Sequence, residues 1–395
     1  MTRISRWSVA VAGVLAVMVA LAAWLARPAR PGAFYRMDTV QGVPGQLLRA
    51  ERVTLDGVGD ARIWRFLYVT TRDDGTRALA SGLALAPAES ATAASGDDVV
   101  LWMHGTTGVA PGCAPSLLAH PFAHAPALPE ALARGWRVVA PDYPGLGVGG
   151  RLHGYLIGTD EARSGLDAVR AARDLPGFGP PSSIVAWGHS QGGHAALWVG
   201  IEGPTYAPEL PLAGVAAMAP ASDLRALVRA AQGSLVGRIL SSYIVAAYAA
   251  DDPAIAAHSP VRPGARQLAD AMAGQCLAGR GALWALVESA LARGSVFDAD
   301  PGTGELGRQL ARNTPDRPIA VPLLIAQGGA DELVRPSIQR AFVRSRCAAG
   351  QALAYRTYPG RDHLSLVAPD SPLVPDLLAW TADRFAGRPA ATACP

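Results

Sequence analysis

The chain has 395 residues, half of them hydrophobic, and a formal net charge of +3. That length allows one large domain with an insertion, or two domains, with ample core. The arginines are scattered and there is no lysine; this argues against nucleic acid as a partner and excludes a Walker-type phosphate loop, a Ser-Lys dyad and a pyridoxal Schiff base.

Residues 7–26 are a continuous uncharged run led by Arg3 and Arg6. Twenty apolar residues can span a bilayer, and Ala20-Leu21-Ala22 offers a cleavage site. Arg27 and Arg30 on the far side leave only a modest charge bias. Residues 1–30 are therefore expected to export the protein, as a cleaved signal peptide or a retained membrane anchor. The product would be secreted or periplasmic, with a membrane or lipid surface as a candidate partner. Residues 27–46 are rich in Pro and Gly and read as a linker, in which Phe34-Tyr35 can pack on the domain.

Extended segments are expected at 49–55, 63–71 and 78–86, separated by turn signals such as Asp73-Asp74-Gly75. A polar surface loop follows at 90–98. The rhythm then changes. A buried strand at 99–103 ends in His104-Gly105-Thr106-Thr107-Gly108. A helix at 128–134 and a strand at 136–140 lead to Pro141-Asp142-Tyr143-Pro144-Gly145. A helix at 160–173 precedes the next strand, and another strand lies at 212–218. Strands alternating with helices predict an α/β fold, a mostly parallel sheet with helices on both faces.

Residues 184–198 carry the chemistry. They read as a short strand, a tight turn and a helix, with Ser190 at the apex of G-x-S-x-G. Such an elbow strains the serine backbone and lifts the hydroxyl clear of the sheet. Gly188, Gly192 and Gly193 are small because strand and helix approach closely there. The helix N-terminus aims backbone N–H groups at a developing oxyanion.

Residues 221–317 break the rhythm, with Ala- and Leu-rich helical stretches at 224–231, 235–250 and 282–292. They read as an inserted helical cap, dividing a core of 31–220 and 318–395. Leu235, Ile239, Tyr243, Val245 and Ala246 form an apolar patch, either cap core or a face toward substrate. A strand at 318–327, a helix at 336–348, a strand at 352–358 and a terminal helix at 374–386 complete the chain.

A serine hydroxyl needs a base, and the base needs an orienting carboxylate. On an elbow of this kind they follow the serine in the order acid, then histidine. Asp331 follows a hydrophobic strand and a Gly-Gly turn, with Glu332 as its neighbouring rival. His363 follows the next strand. His104, His189 and His194 precede the acid or flank the nucleophile, while His120, His124, His153 and His258 are placed outside the sheet edge. Two oxyanion donors are expected: the N–H of Gln191 and one from the glycine-rich turn, Thr106 first and Thr107 second. No metal is implied, because His189 and His194 are five apart and would not share a helix face. Four cysteines without a C-x-x-C pair behind an export signal suggest disulfides.

Taken together these motifs resemble the secretory lipase family of α/β-hydrolases. The resemblance runs from about Phe34 to the C-terminus. It rests on Phe34-Tyr35, the 104–108 turn with Gly112-Cys113-Ala114-Pro115-Ser116, Ala140-Pro141-Asp142-Tyr143-Pro144-Gly145, the Ser190 elbow, the long insertion, and the Asp331 and His363 loops. It implies a serine lipase or carboxylesterase with triad Ser190, Asp331 and His363, a cap over the acyl site, and disulfides Cys113–Cys276 and Cys347–Cys394. No cofactor is implied; the partner is a small-molecule or lipid ester. An acyltransferase or serine peptidase would use the same triad, and a binding protein with a relict site would share the fold.

Overall fold

The structure, a computed structural model, describes residues 17–18, 21–37, 39–88, 97–279 and 281–394. Much of the expected export segment and most of the 90–98 loop lie outside these residues. Among the described residues no helix is long and apolar enough to cross a membrane.

The chain runs through β1 (Leu47–Val53), β2 (Arg62–Thr71), β3 (Arg77–Ala86) and β4 (Asp98–Met103), then α1 (Leu128–Ala133), β5 (Arg137–Pro141) and α2 (Gly158–Ala172). It continues as β6 (Ser183–His189), α3 (Gln191–Tyr206) and β7 (Leu212–Met218). Six helices follow before the next strand: α4 (Leu224–Ala231), α5 (Leu235–Asp251), α6 (Pro253–Ala257), α7 (Arg266–Ala273), α8 (Gly281–Leu291) and α9 (Gly304–Arg312). The chain then closes with β8 (Leu323–Gly328), α10 (Pro336–Ala348), β9 (Leu353–Tyr358) and α11 (Leu373–Phe385).

Among the described residues nine strands lie in one sheet, in the order β1-β2-β3-β5-β4-β6-β7-β8-β9. The lead-in β1–β3 and the β3–β5 pair are antiparallel. Every pairing from β5 to β9 is parallel. A parallel sheet is covered on both faces, so its strands are apolar throughout while their side chains still alternate. Val99, Leu101, Ile184, Ala186, Val215 and Ile325 pack on one face with Leu166 of α2 and Leu197 of α3. Val100, Trp102, Val185, Trp187, Ala216 and Leu324 pack on the other with Leu132 of α1 and Leu377 of α11. The α4–α9 insertion has a core of its own, including Ile239, Tyr243, Met272 and Leu310.

Three details differ from the sequence reading. The strand expected from 318 starts only at Leu323, because Pro318 and Pro322 have no N–H to give a ladder. Helices α6, α7 and α9 were not anticipated; each is nine residues or fewer, too short for apolar periodicity to stand out. The apolar patch on α5 also divides. Ile239 and Tyr243 are buried in the core of the insertion, Leu235 is exposed, and Val236 and Leu240 are the residues that meet the cavity over the sheet.

Two disulfides tie the chain. Cys113–Cys276, with Cα atoms 5.3 Å apart, joins the turn beyond β4 to the end of α7. Cys347–Cys394, at 6.2 Å, joins α10 to the C-terminal segment. Closing so long a loop as 113–276 contributes up to about 5 kcal/mol by chain-entropy arithmetic. The linker aromatics pack as well: Tyr35 is buried and its hydroxyl meets Ser116 Oγ at 2.7 Å.

Candidate active site

The elbow forms where β6 ends against α3. Ser190 sits at φ 59°, ψ −119°, a left-handed backbone that a non-glycine residue adopts only when its surroundings enforce it. The Ser190 N–H donates to Met218 O at 2.9 Å, and Ser190 O accepts from His194 N and Ala221 N at 3.1 Å each. A Cβ on Gly188 would run into the Gly192 carbonyl oxygen, and one on Gly192 into that of Met103. The close approach expected from the sequence is real. Gln191 opens α3, so its N–H has no partner within the helix.

Asp331 and His363 meet on the loops after β8 and β9. His363 Nδ1 lies 2.8 Å from Asp331 Oδ2. Asp331 is buried, and its Oδ1 accepts from the Leu333 and Val334 N–H groups at 2.9 and 2.8 Å. These bonds suit an ionised carboxylate that fixes the ring by accepting the Nδ1–H. Glu332 is exposed at the rim of the cavity and makes no such contact with the ring. Ser190 and His363 line the same cavity. No hydrogen bond joins the Ser190 hydroxyl to the ring among the described residues; this contact is commonly long without substrate and tightens in the complex.

The turn after β4 lies alongside. Gly105 abuts the His189 carbonyl and the Ser190 side chain. The Thr106 hydroxyl is 2.8 Å from that of Tyr155. Thr107 O accepts the Leu277 N–H at 2.8 Å, from the segment next to Cys276, while the Thr107 hydroxyl is buried without a partner. His104 is buried and faces two carbonyls, of Gly105 at 2.7 Å and Asp142 at 3.2 Å. Those oxygens favour the cation, but burial outweighs them and pulls the imidazole down to about 4.

Three histidines placed outside the sheet edge by the sequence lie at the candidate site: His120, His124 and His153. His120 and His124 line the cavity, brought there by the chain between β4 and α1. His153 is buried behind the elbow, its Nε2 2.8 Å from Gln191 Nε2. Burial holds it well below the usual histidine range. His189 is buried beside His363, and its Nε2–H donates to the His363 carbonyl at 2.9 Å. Burial first, then the neighbouring His363, keep His189 neutral.

Sequence reasoning missed Glu161 of α2, which is fully buried. It accepts from Gln191 Nε2 at 2.7 Å and from the Leu156 N–H at 3.1 Å. Its other oxygen is 2.9 Å from His194 Nδ1. His194 Nε2 donates to Asn313 O at 2.8 Å. This network ties the first turn of α3 to the end of α9. A glutamate amid the apolar face of α2 was its only trace in the sequence.

The cavity has a volume of about 1030 Å³ and lies between the sheet edge and the insertion. Trp102, Val236, Leu240, Leu277 and Leu286 give it apolar walls around Ser190 and His363. Among the described residues no group of three acidic, histidine or cysteine side chains could hold a metal ion.

The family described as "Secretory lipase" matches residues 122–393. The chain is 28% identical over 374 residues to a protein of Mycobacterium tuberculosis named "Probable inactive lipase MT1628", covering 88% of this chain and 80% of that one. Its fold is similar to Candida antarctica lipase A in its closed state, with TM-score 0.73 and 19% identity over 89% of this chain and 84% of that one. It is also similar to the rice cell wall degrading esterase LipA from Xanthomonas oryzae, with TM-score 0.64 and 20% identity, covering 87% of this chain and 97% of that one. At such identity these two likenesses speak to the fold, that of the α/β-hydrolases.

Proposed function

The chain belongs to the secretory lipase family, and from that premise we propose that it is an exported serine ester hydrolase acting on lipophilic carboxylic esters. Residues 7–26 are its export signal, in keeping with two disulfides, which persist in oxidising compartments. Ser190 Oγ attacks the ester carbonyl carbon while His363 Nε2 takes its proton. The carbonyl oxygen becomes an oxyanion, held by the N–H of Gln191 and an N–H of the Thr106-Thr107 turn. Collapse breaks the bond to the alcohol oxygen, which leaves with the proton from His363. Water then attacks the acyl-enzyme, giving its proton to His363, and the released Oγ takes that proton back. Asp331 holds the ring in the required tautomer and stabilises the imidazolium.

The observation that carries this reading is the 2.8 Å contact between His363 Nδ1 and Asp331, beside an apolar cavity that Ser190 shares. A fluorophosphonate probe should label the wild-type protein and not Ser190→Ala. Undiminished hydrolysis of p-nitrophenyl esters by Ser190→Ala would end the proposal.

A relative named as a probable inactive lipase favours a second reading, a binding protein that holds lipophilic ligands without turnover. It predicts ligand uptake by the cavity and no probe labelling. The complete set of Ser190, Asp331 and His363 supports the enzyme instead.

A further inference from the structure

Ser190 borders a second cavity, and its position relative to His363 assigns the two halves of the substrate. This pocket measures about 60 Å³. Gln191 lines it, with Leu224 and Leu227 of α4, Ile244 of α5 and Val334. His363 does not line it and lines only the large cavity. Leu240 and Leu333 border both.

This division of the substrate rests on the proposed ester hydrolysis. A general acid must reach the oxygen it protonates within hydrogen-bond distance. The departing alcohol oxygen therefore lies on the His363 side, and the alcohol group extends into the large cavity. The oxyanion points at the N–H of Gln191, and the remaining substituent of the carbonyl carbon, the acyl chain, is left with the small pocket. Measured the same way, the large cavity has about 1030 Å³ against about 60 Å³ here, so the small pocket has far less room for a chain. Leu224 and Ile244 are almost completely buried, so the wall is packed side chain rather than solvent.

We infer that the enzyme selects esters of short acyl groups with bulky lipophilic alcohols, the small pocket setting the acyl limit. Within the limit each buried methylene improves kcat/KM by about fourfold. Beyond it, further methylenes meet side chains that must be displaced.

The test is kcat/KM over p-nitrophenyl esters from acetate to palmitate, with naphthyl and ethyl butyrates compared for the alcohol side. The wild-type protein should peak below ten carbons, fall at least tenfold from that peak by twelve, and favour naphthyl over ethyl butyrate. Leu224→Ala and Ile244→Ala should each raise the decanoate-to-butyrate ratio about tenfold. Val236→Ala, in the large cavity only, should change the alcohol preference and leave the acyl limit in place. A wild-type maximum at ten carbons or more, or an acyl limit moved by Val236→Ala alone, would overturn the assignment while ester hydrolysis stood. No turnover of any ester, with no fluorophosphonate labelling, would instead remove the proposed activity and this inference with it.

Discussion

The imidazole of His189 donates its Nε2–H to the main-chain carbonyl of His363 at 2.9 Å, with the two ring centroids 4.6 Å apart. The residue just before the proposed nucleophile thus supports the backbone of the proposed base, 174 residues away. The bond requires a proton on Nε2, and burial, which outweighs the pull of that carbonyl toward the cation, keeps the ring neutral.

His189→Phe keeps a ring in place and removes the donor. Its kcat should fall about tenfold, the equivalent of one hydrogen bond of about 1–1.5 kcal/mol, while KM stays within twofold. Steady-state kinetics on a short-chain ester measures both. An unchanged kcat would mean that the Asp331 contact alone positions the ring.

Asp331→Asn preserves the shape of the acid and should lower kcat by about 10⁴, since the amide presents the wrong partner to Nδ1. Glu332→Gln, at an exposed neighbour, should stay within twofold of wild type. Equal losses in both variants would mean the acid has been misplaced by one residue.

Glu161→Gln tests whether the buried network positions the Gln191 N–H. Substrate kcat/KM and affinity for a boronate that mimics the tetrahedral intermediate should fall together, by about 10–100-fold. A purely structural role would lower the melting temperature and leave boronate affinity intact.

His104, His153 and His189 are all buried with depressed values, so acid should destabilise the fold. The unfolded chain binds protons at about 6.5, whereas folded His104 resists protonation down to about 4. Its stabilisation is present above the unfolded value and is lost as pH falls through that window, amounting to about 3 kcal/mol for this ring. Urea unfolding between pH 7 and pH 4 should show the decline, with a shallower slope in His104→Gln. A flat profile over that range would contradict the burial of these rings.

Much of this protein was legible in its sequence because the signals are local. The elbow is five consecutive residues whose glycines permit one backbone path, and Ser190 takes it. The sheet is legible because strands buried on both faces are apolar throughout, and nearly every expected strand is found within two residues of its expected bounds. The β8 start is the exception, where two prolines delay the ladder. The loops that bring Asp331 and His363 together were recognisable because each follows a strand, and parallel strands bring their C-terminal ends to one edge.

Local pattern could not show what crosses the molecule. His153 and Glu161 carry no motif, yet burial drives each to hydrogen-bond partners, and Gln191 is one that they share. The face of α5 turned to the cavity lies beside, not along, the stripe that looked most apolar, because the insertion uses that stripe for its own core. The sequence alone determined which groups the chain has for chemistry and the order in which they occur, since those follow from short-range backbone geometry. Only the tertiary structure decided which side chains touch, how much room surrounds Ser190, and on which side of it His363 stands, because these depend on the packing of segments far apart in the chain.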